Sequence, residues 1–259
     1  MDATVRGTAA QAGNHRLLET GARLGYAASG VLHLLIAWLA LQVAWGQSGE
    51  SADQTGAMQQ LAGNPLGAVL LWVLTVGFAL LAVWQIAEAI ARSDTGTRLK
   101  SVGKAVVYLA LAWTALSVVR GSSQSGSGKT ESTTATLMAQ PFGRALVALV
   151  GLGVIAVAVY HVVKGWKKKF RQDLREDPGP WVVRAGQIGY IAKGVALGVV
   201  GALFVMAAAT ADSERASGLD GALRSLQQLP FGKVLLTAVA LGLAAYGVYS
   251  FGRARHAKV

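Results

Sequence analysis

The sequence predicts an all-α integral membrane protein. It should have six transmembrane helices, arranged as three parallel helix-pair repeats about a pseudo-threefold axis. Three observations predict this. Of 259 residues, 53% are hydrophobic and only 14% are charged, where soluble domains carry about 25% charge. Six apolar segments have the length of a membrane span, roughly 20 residues. Between them, one phrase recurs three times: NPLG at 64–67, QPFG at 140–143 and LPFG at 229–232.

The elements follow in order. Residues 1–22 are polar and read as a cytoplasmic N-terminal segment. The apolar run at 24–45 is too long for a signal-peptide core and reads as an anchor. The second span, 66–91, starts at Pro65, where a helix loses no needed hydrogen bond. The third span covers 102–119. The stretch GSSQSGSGKT at 121–130 then ends like a phosphate-binding loop. The full pattern needs a glycine at 123, which is serine, and a preceding strand. Its Gly-Ser composition predicts a flexible connection instead. The fourth span, 143–163, follows Pro141, and the sixth, 233–252, follows Pro230. The fifth, 186–209, follows the basic run KGWKKKFR at 164–171. A backbone in lipid must satisfy its own hydrogen bonds, so all six are helices. The units are 23–92, 93–180 with its basic linker, and 181–259 with its basic tail.

The three prolines lie 76 and 89 residues apart. Twelve residues after each comes a glycine, Gly77, Gly153 or Gly242, and nineteen after comes an aromatic, Trp84, Tyr160 or Tyr249. Such glycines let a neighbouring helix approach. The phrases GAMQQL and GALRSL before Pro65 and Pro230 read as short amphipathic turns on the outer surface. A pair of helices cannot bury both contact faces, so three units should close into one bundle. Each unit crosses twice, so the repeats are parallel, not inverted.

The phrases RLGYAASG (23–30), IGYIAKG (188–194), PFG at Pro141 and Pro230, and GALRSL (221–226) carry a resemblance. With the triplicated pattern, the chain resembles the bacterial membrane family catalogued as domain of unknown function 1206. That resemblance implies the architecture and carries over no catalytic residue. Unit two departs most, opening with RLKSVGKA and lacking the Gly-Ala pair in its outer loop.

The net charge of +11 is sorted by position. If the N-terminus is cytoplasmic, eighteen of the 24 Lys and Arg lie on that side, and the loop at 46–64 has none. The positive-inside rule therefore predicts a multi-pass plasma-membrane protein with both termini cytoplasmic. Its partner is the bilayer, with anionic headgroups on the cytoplasmic face. Lys164, Lys167, Lys168, Lys169 and Arg171 are the expected contacts, at about 1 kcal/mol per charge. Other membrane proteins or a second copy are further partners, and nucleic acid is not one.

Ionisable groups within spans are functional candidates. Equivalent positions on the even spans hold Gln85, His161 and Ser250, and on the odd spans Ser29, Lys104 and Lys193. The two sets share a depth and could form a polar ring in the cytoplasmic half. The favoured reading of both lysines, however, is that they snorkel out to the headgroups. Glu88 is expected to pair with Lys104 or Lys193. The ring reads as a set of interhelical hydrogen bonds, or as a proton or small-ion pocket at His161. His33 has no polar equivalent in the other units and reads as a packing residue, not a metal ligand.

Several functions are excluded by residue type. With no cysteine, thiol catalysis and thiolate metal sites are out. GLGVIA at 151–156 lies in an apolar helix with no strand before it, so it is not a dinucleotide loop. No catalytic set, cofactor or metal site is predicted. The leading expectation is a non-enzymatic scaffold or partner-binding membrane subunit. The alternative is a small transporter, channel or lipid-binding bundle using the polar pocket. An enzyme acting on lipid or quinone ranks below both.

Overall fold

The computed structural model describes residues 2–47, 50–91, 94–121, 125–175 and 177–256. Among these the chain forms α1 (Asp2–Ala44), α2 (Gln54–Ala62), α3 (Pro65–Ala91), α4 (Thr95–Val119), α5 (Gly126–Met138), α6 (Gly143–Trp166), α7 (Pro180–Thr210), α8 (Gly218–Gln227) and α9 (Gly232–His256). Short 3₁₀ turns occupy Lys169–Asp173 and Ser213–Arg215. No strand occurs among the described residues.

Six helices are long and apolar enough to cross a membrane. They are α1 over Arg23–Ala44, α3 over Pro65–Ala87, α4 over Ser101–Val119, and α6, α7 and α9 over their full lengths. The other three, α2, α5 and α8, lie at one end of the bundle and each precedes a Pro-x-Gly phrase. The GSGKT segment is one of them, which corrects the expected flexible connection. Ser125 caps α5 by accepting from Gly128 N at 3.0 Å. The hydroxyls of Thr130, Thr133 and Thr136 then bond back to carbonyls four residues earlier. Local capping and side-chain bonding outweigh the Gly-Ser composition.

The Pro-x-Gly phrase turns each short helix into the long one after it. A Cβ at Gly67, Gly143 or Gly232 would collide with the carbonyl of Leu61, Leu137 or Gln227, in the preceding short helix. The residue between proline and glycine points outward. Phe142 and Phe231 hold left-handed backbones (φ 62° and 59°) and are 90% and 84% exposed.

The sequence units are not the packing units. The extensive interfaces are α3 on α4, α6 on α7 and α9 on α1. The even-placed helix of each unit packs on the odd-placed helix of the next, and unit three returns to unit one. The cause is a seam of small residues seven apart. On the even-placed helices it reads Thr75, Ala82, Ala89; Gly151, Ala158, Gly165; Ala240, Gly247, Ala254. On the odd-placed helices it reads Gly30, Ala37, Ala44; Ala105, Ala112, Val119; Gly194, Gly201, Ala208. A period of seven keeps one stripe facing a partner helix, and small residues bring the backbones close. A Cβ at Gly151 would sit 2.9 Å from the Gly201 carbonyl, and one at Gly247 3.0 Å from the Gly30 carbonyl.

Within units, only α7 and α9 pack extensively. There Gly189 lies against the Tyr246 backbone and Gly242 against Ala192. The expectation that all three repeated glycines form helix contacts therefore holds for Gly242 alone. A Cβ at Gly77 or Gly153 would meet nothing within 4 Å.

The short helices clasp one another. Asp53 caps α2 through Gly56 N at 2.9 Å. Buried Asp220 of α8 accepts from Ala52 N at 2.8 Å and from Arg224 Nε at 2.9 Å. Burial, with the Asp220 charge nearby, pushes the Asp53 carboxyl above its ordinary value.

Candidate functional site

The opposite, basic end of the bundle gathers cations and aromatic rings from four helices and a linker. Spacing puts them there. Tyr190 and Lys193 are three apart on α7, and Tyr246, Tyr249 and Arg253 follow one face of α9 at three- and four-residue steps. Tyr160, His161 and Lys164 come from α6, and Tyr26 and His33 from α1.

His33 Nδ1 lies 2.7 Å from the Ser29 carbonyl. A carbonyl only accepts, so Nδ1 carries the proton and Nε2 presents a lone pair. Lys193 Nζ donates to that lone pair at 3.3 Å. The same ammonium lies 4.4 Å from the Tyr246 ring centre, and the His33 and Tyr246 rings are 4.6 Å apart. Lys193 thus bonds across the bundle to α1 instead of snorkelling out. His161 repeats the arrangement, with Nδ1 donating to the Val157 carbonyl at 2.8 Å and its ring 5.7 Å from that of Tyr190.

The linker folds back to complete the site. Phe170, fully buried, stacks on Tyr190 (5.4 Å) and meets Tyr249 edge-on (5.2 Å). This plants Asp173 between two cations. Lys164 Nζ reaches its carboxylate at 2.7 Å and Arg253 at 3.8 Å. Lys164 also lies over Tyr190 (5.3 Å), and Arg253 over Tyr26 (4.2 Å). Two cations share this carboxylate, and Lys164, Arg253 and Lys193 each sit on an aromatic face. Such cation–π contacts contribute about 0.5–2 kcal/mol each.

The expected polar ring forms only in part. His161 and Lys193 both join the aromatic cluster. Ser250 is buried, but its hydroxyl donates to the Tyr246 carbonyl of its own helix at 2.9 Å. Lys104 is exposed and Gln85 half-buried, away from the cluster on α4 and α3. The Glu88 side chain, and with it the expected pairing to Lys104 or Lys193, lies outside the described residues. Of the expected headgroup contacts, Lys167, Lys168 and Lys169 are exposed. Arg171 makes a loose pair with Asp177 at 3.8 Å. Lys164 is a correction: it is held inside by Asp173, because Phe170 anchors the linker.

Sequence reasoning missed His33 as the partner of Lys193, since its equivalents, Tyr108 and Leu197, suggested no shared role. It also missed Tyr190, Tyr246 and Phe170. The readable signal was the one-faced spacing of tyrosines and cations on α7 and α9.

Comparison places this arrangement among known chains. The chain is 33% identical over 241 residues to the "Uncharacterized protein YxxB" of Bacillus subtilis (strain 168), covering 88% of this chain and 87% of that one. No solved structure matches it. A family model matches three times, at 24–92, 99–168 and 188–257. The starts of these matches are offset by the spacing of α1, α4 and α7, and their ends by that of α3, α6 and α9. The chain therefore belongs to the family described as Domain of Unknown Function (DUF1206), of which it carries three tandem copies.

Proposed function

We propose that the chain is a multi-pass plasma-membrane protein with both termini cytoplasmic, acting as a non-catalytic scaffold or partner-binding subunit. Large apolar side chains face outward along the long helices, among them Trp38, Trp72, Val83, Leu149 and Leu241. In water such surface would cost about 25 cal/mol per Å², and lipid removes that cost. The basic residues of the linker and of the α9 end stand at the end away from the short helices, which supports the cytoplasmic assignment.

The observation that carries the partner-binding reading is the unequal use of one repeated contact. Gly242 is packed against Ala192 within unit three, whereas Gly77 and Gly153 face open space. Units one and two present the contact surface that unit three fills from within. A helix of another membrane protein, or of a second copy, fits it through close backbone approach. Gly77→Leu with Gly153→Leu should abolish a constant copurifying protein or self-association in nanodiscs, at unchanged thermal stability. Wild-type preparations that stay monomeric and carry no constant protein would sink the reading.

A second reading is favoured by the excess of cations in this cluster: Lys164 and Arg253 share Asp173, and Lys193 bonds only to the neutral His33 ring. A cluster with excess positive charge suits a bundle that takes a small anion from the cytoplasmic side. Small carboxylates should then raise the melting temperature, and Lys193→Met should remove that response. A midpoint insensitive to acetate and succinate would exclude it.

A further inference from the structure

A crevice of about 600 Å³ lies at the short-helix end, between α6 and α7. Comparison with unit three shows what keeps it open. At the corresponding α9–α1 groove of unit three, Gln227 donates to the Val43 carbonyl at 2.6 Å. There Lys233 also lies 3.6 Å from the Trp45 ring centre. Those two side chains close the groove. In unit two the position of Gln227 is Met138 and that of Lys233 is Arg144, and the groove stays open.

Arg144 stands at its head. Its Nε donates to the Ala208 carbonyl at 2.9 Å and one terminal nitrogen to the Ala209 carbonyl at 3.0 Å. These are end carbonyls of α7. A guanidinium has five N–H donors, so three remain. Among the described residues Arg144 has no carboxylate partner, and no Asp or Glu lines the crevice. Below Arg144 and Gln140 the walls turn apolar, through Ala145, Ala148 and Val205, to the level where Gly151 and Gly201 close the two helices together. Polarity therefore falls along the helix direction, from a cation at the rim to methyl groups inside.

We propose that this crevice binds one anionic phospholipid of the outer leaflet, with its phosphate on Arg144 and the start of an acyl chain on the alanine wall. The inference rests on the membrane reading above. A phosphodiester matches the free donors of an arginine. The gradient of the walls matches a headgroup joined to a chain, which a free phosphate lacks. With no carboxylate to receive an ammonium group, phosphatidylglycerol is favoured over phosphatidylethanolamine. Exposed Phe142 borders the mouth and places an apolar ring beside the headgroup.

The test is native mass spectrometry of the full chain in mild detergent, titrated with phosphatidylglycerol, phosphatidylethanolamine or inorganic phosphate. One phosphatidylglycerol should be retained, with Arg144→Gln binding it at least about tenfold more weakly. Ala148→Leu fills the groove and leaves Arg144 in place, so it should lose the lipid without a change in melting temperature. Lys167→Gln/Lys168→Gln/Lys169→Gln should keep it. Equal retention by wild type, Arg144→Gln and Ala148→Leu overturns the proposal. So does competition by inorganic phosphate at lipid concentrations, which would mark a free-anion site. Extraction of the chain from membranes by alkaline carbonate would defeat the membrane reading itself, independently of any lipid count.

Discussion

At single positions, the same residue type does opposite things in this chain. Gly143 abuts the Leu137 carbonyl, while Gly153 on the same helix faces open space. Gly143→Ala should therefore destabilise by about 1–3 kcal/mol through backbone collision. Gly153→Ala should be neutral or stabilise by up to about 1 kcal/mol, because alanine is the better helix former. Paired thermal or denaturant unfolding in one detergent checks both, and equal effects would contradict the geometry. Asp53 makes a pH prediction. Its carboxyl is raised above the ordinary value by burial and by Asp220. The folded state thus holds its proton more tightly than the unfolded state. Stability is greater on the acid side and falls as pH rises from the ordinary aspartate range through the raised one. Asp53→Asn keeps an N-cap acceptor and should flatten that slope, as read by hydrogen exchange of α2. The three prolines and their companions were legible in the sequence because their spacing is conformational. The Lys193–His33 bond was not, because it joins residues 160 apart that occupy non-equivalent repeat positions.

For whole helices, the decisive pattern is the seam of small residues every seven positions. The sequence exposed the spans but hid the seam. Nearly every position on these helices is apolar, so no polar face marks which side is packed, and only residue size differs. Substitution at the seam should be far costlier than outside it. Gly201→Leu meets the Gly151 carbonyl and Ile155 and should force α6 from α7. Leu149, 65% exposed, should tolerate alanine with little change. Cysteine crosslinking between α6 and α7 in membranes would report the separation. The linker teaches a complementary lesson. Its basic composition pointed to headgroups, and Lys167, Lys168 and Lys169 are exposed, as such a contact requires. One aromatic decides the rest: Phe170 anchors the turn and turns Lys164 and Asp173 inward. Phe170→Ala should cost about 3 kcal/mol or more. It should also free Lys164, detectable as faster labelling of its amine.

Across the molecule, three units form a closed series in which each interface joins one unit to the next. The sequence disclosed the triplication and the family's three matches agree with it. The unequal closure was not legible, because it turns on one pair, Gly189 against Tyr246, and unit one also has a glycine, Gly25, at the first position, with Leu81 at the second. At the corresponding positions unit two has Lys100 and Val157. The ring also has a consequence for synthesis. The seam partner of α1 is α9, where Gly30 meets Phe251 and Leu34 meets Gly247. A nascent chain emerges from its N-terminus and domains assemble as they appear. Because α1 is made before α9, its seam, with Gly30, stays bare until α9 has been made. Ribosomes that stall before Gly232 leave α1 and α7 both without α9. Such products should be cleared by proteolysis, and the chain should acquire protease resistance in one step, only once α9 has been made.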